Sequence, residues 1–173
     1  MRWEGFWLPA VLAGALLTAM PSFAADKASA VLKDPEGNEI GKADLVATPS
    51  GTLISLDLTA APPGTHGFHI HTTGKCELPD FASAGGHFNP DDTKHGFLNA
   101  EGPHAGDMPN IHVPENGKLT VEVLNPLVTL SAEADLLDED GAALVIYEGA
   151  DDYQSDPAGH AGGRIACGVI APQ

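Results

Sequence analysis

The sequence predicts an all-β fold, an antiparallel sandwich or barrel. Three observations lead there. Helix signals are poor. Apolar runs are short, and several alternate with period two. Glycine and proline, 20 and 14 of them, punctuate the chain every few residues.

The strands follow in order. "SAVLKD" comes first, then "EIGKADLVAT" and "TLISLDLT", divided by the turn sequences "DPEGNE" and "TPSG". "APPGTHG" leads into "GFHIH". "LTVEVL", "AALVIY" and "RIACGVI" complete the set, with "DEDG" before "AALVIY". Strands bounded by such turn residues are the expected reading. There is no internal repeat. Two segments break the rhythm, Thr72 to Val113 and Gly149 to Gly163. Both are rich in glycine and aspartate, and long irregular loops in a compact domain usually carry function.

Residues 1–24 read as a separate piece, a secretory signal. Arg2 begins it, an apolar run extends from Phe6 to Leu17, and "PSFA" places small Ser22 and Ala24 as a signal peptidase requires. The run is short for a bilayer span. An uncleaved anchor is the alternative. Residues 25–173 then form one domain, exported to a periplasm or the exterior.

The formal net charge is -16. Such a chain repels nucleic acid and anionic membranes, so neither is an expected partner. A soluble monomer or homodimer is expected. Cys76 and Cys167 are the two cysteines. In an exported protein an isolated pair points to one disulfide. It would close a loop of roughly 90 residues and contribute on the order of 4–5 kcal/mol in the chain-entropy account. Two buried free thiols are the alternative.

The histidines carry the chemistry. In "GFHIH", His69 and His71 are two apart, so a strand aims both imidazoles to one face. "GGHFNPDD", "KHGF" and "GPHAGDM" add His87, His95, His104 and Asp107. Three imidazoles and a carboxylate make a closed tetrahedral zinc set, which leaves no open position for a zinc hydrolase. A blue-copper electron carrier is disfavoured, since no free cysteine accompanies the histidines.

Together "GFHIH", "GGHFNP", "KHG", "HAGDM", "ADD" and "GGRIACGVI" resemble the copper/zinc superoxide dismutases, in particular their exported bacterial branch. The resemblance runs from about Ala28 to the C-terminus, with the motifs in the family's order. It implies an eight-stranded Greek-key β barrel with a long metal-binding loop and an electrostatic loop. It implies copper on His69, His71 and His87, with His87 bridging to zinc on His95, His104 and Asp107. Asp151 would be the carboxylate linking the two sites through ligand histidines, and Cys76–Cys167 the family disulfide. Arg164 would attract and orient superoxide, the substrate converted to oxygen and hydrogen peroxide. His66 would hydrogen-bond backbone.

One position departs from the family. A further copper-ligating histidine is expected four residues before Asp151, and Tyr147 stands there, in "LVIYEGADD". Three readings stay open. Tyr147 ligates copper as phenolate; or it stands aside and three histidines hold copper; or the site has decayed, leaving a zinc-stabilised, metal- or haem-binding relative with little turnover. His160, in "DPAGHAGGR", is either a substitute ligand or, as favoured, a solvated loop residue. His112 reads as surface. No lysine follows Lys118, so Arg164, directly after the second irregular segment, is the permanent cation of the loop expected to steer superoxide, near Asp151, Asp152 and Asp156. Steering of an anion is expected to be weaker for it.

Overall fold

The computed structural model describes Met1 and residues 26–130 and 135–173. The expected signal at residues 1–24 lies, apart from Met1, outside the described residues. Nine strands are present among the described residues: β1 Lys27–Lys33, β2 Glu39–Thr48, β3 Gly51–Leu58, β4 Gly64–His66, β5 Phe68–His71, β6 Ile111–Val113, β7 Leu119–Asn125, β8 Ala142–Tyr147 and β9 Arg164–Pro172.

Seven strands form one antiparallel sheet in the order β5-β8-β9-β1-β2-β3-β7, and β4 pairs with β6. The pairings of β3 with β7 and β5 with β8 skip across the chain, as Greek-key connections do. Seven strands from this list match the sequence expectation. The strand count depends on Gly67, which separates β4 from β5. Its N–H donates to Gly149 O and its carbonyl accepts from Tyr147 N, so the chain there still pairs with the end of β8. Counted as one strand that changes partner at Gly67, β4 and β5 bring the total to eight. The strand β6 falls inside a segment expected to be irregular. Three residues are too few to show a period.

Alternation sets the core. On β1 to β3 the buried residues Leu32, Leu45, Ile54 and Leu56 face inward, alternating with more exposed ones such as Lys33, Asp44, Ser55 and Asp57. Each such side chain contributes roughly 1.5–3 kcal/mol when fully buried. Strands β5 and β8 are buried at every position. Phe68, Ile70, Leu144 and Ile146 join the main core. Their neighbours Ala143, Val145 and Tyr147 face the other way, into a second cluster with Phe81, Ala84, Ala161 and Cys167. Two long loops cover that outer face. This explains why "AALVIY" reads as a continuous apolar run rather than an alternating one. His69 and His71 lie on the covered face.

The disulfide Cys76–Cys167 forms, with a sequence separation of 91. It ties the start of the first loop to β9.

Candidate metal centre

Strand β5 positions the first two histidines, and the first loop is laid against it. Ile70 N donates to Gly106 O, Phe88 N to Ile70 O, and Gly106 N to Phe88 O. These contacts bring His87 beside His71 and Asp107 beside His69. Gly106 is required by the close approach: a Cβ there would collide with the Ile70 carbonyl oxygen.

Four side chains meet in the first donor group. His87, His95, His104 and Asp107 are buried, and one ligand atom from each lies within 4.8 Å of all the others. The Asp107 Oδ1 atom faces His87 Nδ1 at 2.8 Å, His95 Nδ1 at 3.0 Å and His104 Nδ1 at 3.3 Å. His104 Nδ1 lies 3.4 Å from His87 Nδ1. Ligands at 2.0–2.1 Å from a tetrahedral zinc stand about 3.3–3.4 Å apart. The donor set therefore fits zinc in type and number, with two of these separations at that spacing and the two shorter ones, from Asp107 to His87 and His95, at hydrogen-bond distance. Asp107 Oδ2 accepts from Gly96 N and His104 N, which fixes the carboxylate.

A second group lies on the other side of His87. The His69 and His87 ring centroids are 4.1 Å apart, and those of His71 and His87 are 5.1 Å apart. Hydrogen bonds set the free nitrogens. His69 Nε2–H donates to Asp151 Oδ2 at 2.8 Å, and His71 Nδ1–H donates to Gly85 O at 2.9 Å. That leaves lone pairs on His69 Nδ1 and His71 Nε2. Among the described residues His69 Nδ1 is the buried side-chain polar atom without a hydrogen-bond partner. An orphaned buried imidazole nitrogen is costly unless something binds it. A cation that favours imidazole, such as copper, suits it.

Tyr147 closes this second group. Its hydroxyl lies 3.0 Å from His71 Nε2 and 3.4 Å from His87 Nε2. The pairing register shifts between Ile146 and Tyr147, and Tyr147 sits opposite Arg164. Such a bulge re-aims a side chain at a sheet rim.

Asp151 joins the two groups. Its Oδ1 accepts from His95 Nε2 at 3.0 Å while Oδ2 accepts from His69. The sequence reading missed what holds it. Asn110 and Asp151 bond reciprocally: Asp151 N donates to Asn110 Oδ1 and Asn110 Nδ2 donates to Asp151 O. The Tyr153 hydroxyl accepts from Asn110 N. Gly85 was missed as well, since its carbonyl accepts from both His71 and Arg164. A lone asparagine and a carbonyl leave no periodic signal in a sequence.

Arg164 donates to Phe81 O and Gly85 O, each at 2.6 Å, so the guanidinium is pinned to the stretch that follows Cys76. With Pro79, Asp80, Tyr147 and Gly163 it lines an open pocket of about 560 Å³. The ring nitrogens of His66 face Tyr147 O and Pro62 O. His112 is exposed and meets Thr65. The His160 side chain is 83 % exposed and turned to Asp152. It does not join the donor groups.

The electrostatics follow from burial and partners. Burial holds His71 well below its ordinary value, helped by nearby His87 and Arg164. Burial also takes His87 down to about 4, against the pull of Asp107. Burial opposes charge on His95 too, but hydrogen bonds to Asp107 and Asp151 prevail and push it up to about 9. Asp107 and Asp151 lie below the usual carboxylate range, because histidine and backbone donors outweigh burial. Burial raises Tyr147, and Arg164 works against that.

Known proteins share the sequence and the fold. The family model described as copper/zinc superoxide dismutase (SODC) matches residues 39–170. "Superoxide dismutase [Cu-Zn] 2" of Aquifex aeolicus is 56 % identical over 167 residues, covering 94 % of this chain and 98 % of that one. A SOD-like protein from Bacillus subtilis superposes with a TM-score of 0.79 at 41 % identity, over 82 % of this chain and 96 % of its own. The Cu/Zn superoxide dismutase from Brucella abortus does so with a TM-score of 0.68 at 30 % identity, over 83 % and 99 %.

Proposed function

The chain belongs to the copper/zinc superoxide dismutase family, and from that premise we propose that it converts superoxide to oxygen and hydrogen peroxide. One observation carries the reading. His87 is shared between two donor groups, with Nδ1 against Asp107 and Nε2 against Tyr147 beside His71. A single imidazole with both nitrogens so placed can bridge two metals.

In this reading His87, His95, His104 and Asp107 hold zinc, and His69, His71 and His87 hold copper. Copper bound there supplies one-electron redox chemistry in both directions, which a dismutation needs. The chain's own residues do the rest. Arg164 attracts the superoxide anion to the pocket and is kept there by its two carbonyl acceptors. Asp151 orients His69 and His95 together, so the two sites share one support. His87 Nε2 is the atom that takes up and returns a proton for peroxide. Loops cover the histidines, and the pocket beside Arg164 is the route in.

The native setting belongs to the same proposal. Residues 1–24 direct export and are removed, and residues 25–173 act in the periplasm or outside the cell as a monomer or homodimer, without nucleic acid or membrane partners. The test is metal analysis of protein purified from its own compartment, together with a superoxide-loss assay on wild type and Tyr147→His. One zinc and one copper per chain with catalysed loss of superoxide is the expected result. Bound zinc without copper in either protein would sink the enzyme reading. The second reading, a weakly active zinc-stabilised metal- or haem-binding relative, is favoured by Tyr147 at a histidine position.

A further inference from the structure

Resting on the reading above, we infer that the Tyr147 oxygen is the fourth donor of the copper group, making it a three-imidazole, one-phenolate site. Three observations lead there. The first is spacing. Ligands of one ion at about 2.0–2.1 Å, held at roughly 90–120° to one another, stand about 2.9–3.6 Å apart. Tyr147 Oη meets that distance to both His71 Nε2 at 3.0 Å and His87 Nε2 at 3.4 Å.

The second is the direction of the lone pairs. His71 Nδ1 is spent on Gly85 O and His87 Nδ1 faces Asp107. Both Nε2 atoms therefore present lone pairs toward the phenol oxygen, which has one proton to share between them. His69 Nδ1 has no partner among the described residues. A cation taken in at this point would engage all three nitrogens and the oxygen together.

The third is anchorage. Tyr147 is 4 % exposed. Its N–H donates to Gly67 O, its carbonyl accepts from His66 Nδ1, and its side chain lies in the cluster with Phe81, Val145 and Ala161. A tyrosine standing aside would need room elsewhere, and this one is packed into the donor group.

The ligation step balances simply. When Cu(II) enters, the phenolic O–H bond breaks and a copper–oxygen bond forms. The proton leaves to solvent through the pocket lined by Tyr147 and Arg164. No electron moves. An anionic oxygen in place of a neutral imidazole adds one negative charge to the ligand set, which favours Cu(II) over Cu(I). Tyr147 thus sets the potential of the site.

The test uses zinc-loaded wild type, Tyr147→Phe and Tyr147→His, each titrated with Cu(II). Wild type is expected to show a phenolate-to-copper charge-transfer band whose resonance Raman spectrum carries tyrosine ring modes. Both variants should lack it. Tyr147→Phe should bind Cu(II) at least about tenfold more weakly, and Tyr147→His should have a higher midpoint potential than wild type. Wild-type spectra that superimpose on those of Tyr147→Phe would overturn the inference. If Tyr147→His then binds copper and turns over superoxide, the functional reading survives that loss. If copper binds to none of the three, both fail. Zinc stoichiometry and circular dichroism of each variant confirm the fold, and the wild-type band needs no variant at all.

Discussion

At the scale of single residues, Asp151 and the buried histidines bear the most consequence. Asp151 holds His69 and His95 with separate oxygens, and Asn110 holds Asp151. Asp151→Asn keeps the volume but can accept from one imidazole only. Zinc affinity, measured against a competing chelator, should fall about 10- to 100-fold. An unchanged affinity would show that Asp151 is not what orients His95. The histidines also predict a pH profile for chelator-treated protein. His87 is held down at about 4, so between about 4 and the ordinary value near 6.5 the unfolded chain binds more protons. Stability should fall as pH drops through that window, and depressed His71 adds to the loss. His95 acts oppositely. With its folded value raised to about 9, its contribution is full below about 6.5 and fades as pH rises to about 9. Thermal midpoints should therefore peak near pH 6.5 and decline on both sides. His95→Gln should remove the alkaline decline, and a decline that persists in that variant would refute the assignment.

Among the elements, the stretch after Cys76 and β9 act as one. The Cys76–Cys167 bond holds the segment whose carbonyls at Phe81 and Gly85 accept from Arg164. Removing the bond should reach the site as well as the stability. The double variant Cys76→Ser with Cys167→Ser should lose about 2–5 kcal/mol in chemical denaturation. Superoxide turnover, corrected for folded fraction, should fall with it, because Arg164 loses fixed acceptors. Loss of stability with full turnover would separate the two roles. The strands themselves were legible beforehand, since period two and turn residues mark them. The short β6 and the bulge before Tyr147 were not, because three residues carry no period and a register shift depends on the partner strand.

Over the whole molecule the field is negative, with a formal charge of -16. Arg164 is the cation lining the pocket, and Asp80 lines it too. Asp80→Asn should raise the second-order rate with superoxide a few-fold at low salt, as local steering effects do. The gain should shrink near 0.15 M salt, where the screening length is about 8 Å. A salt-independent gain would mean the change acts on geometry rather than on the field.

The candidate ligand types were plain in the sequence. His69 and His71 two apart on a strand, the motifs carrying His87, His95, His104 and Asp107, and the isolated cysteine pair all depend on local spacing. Strand periodicity and residue chemistry translate such spacing directly. What faces what across the loops was decided only in three dimensions. The sequence by itself marked Tyr147 as a departure from a histidine and left its role open. The tertiary structure put its hydroxyl between His71 and His87, and turned His160 out to solvent. It also placed Asn110 behind Asp151. Distances between segments dozens of residues apart are set by sheet register and loop packing, and no local pattern encodes them.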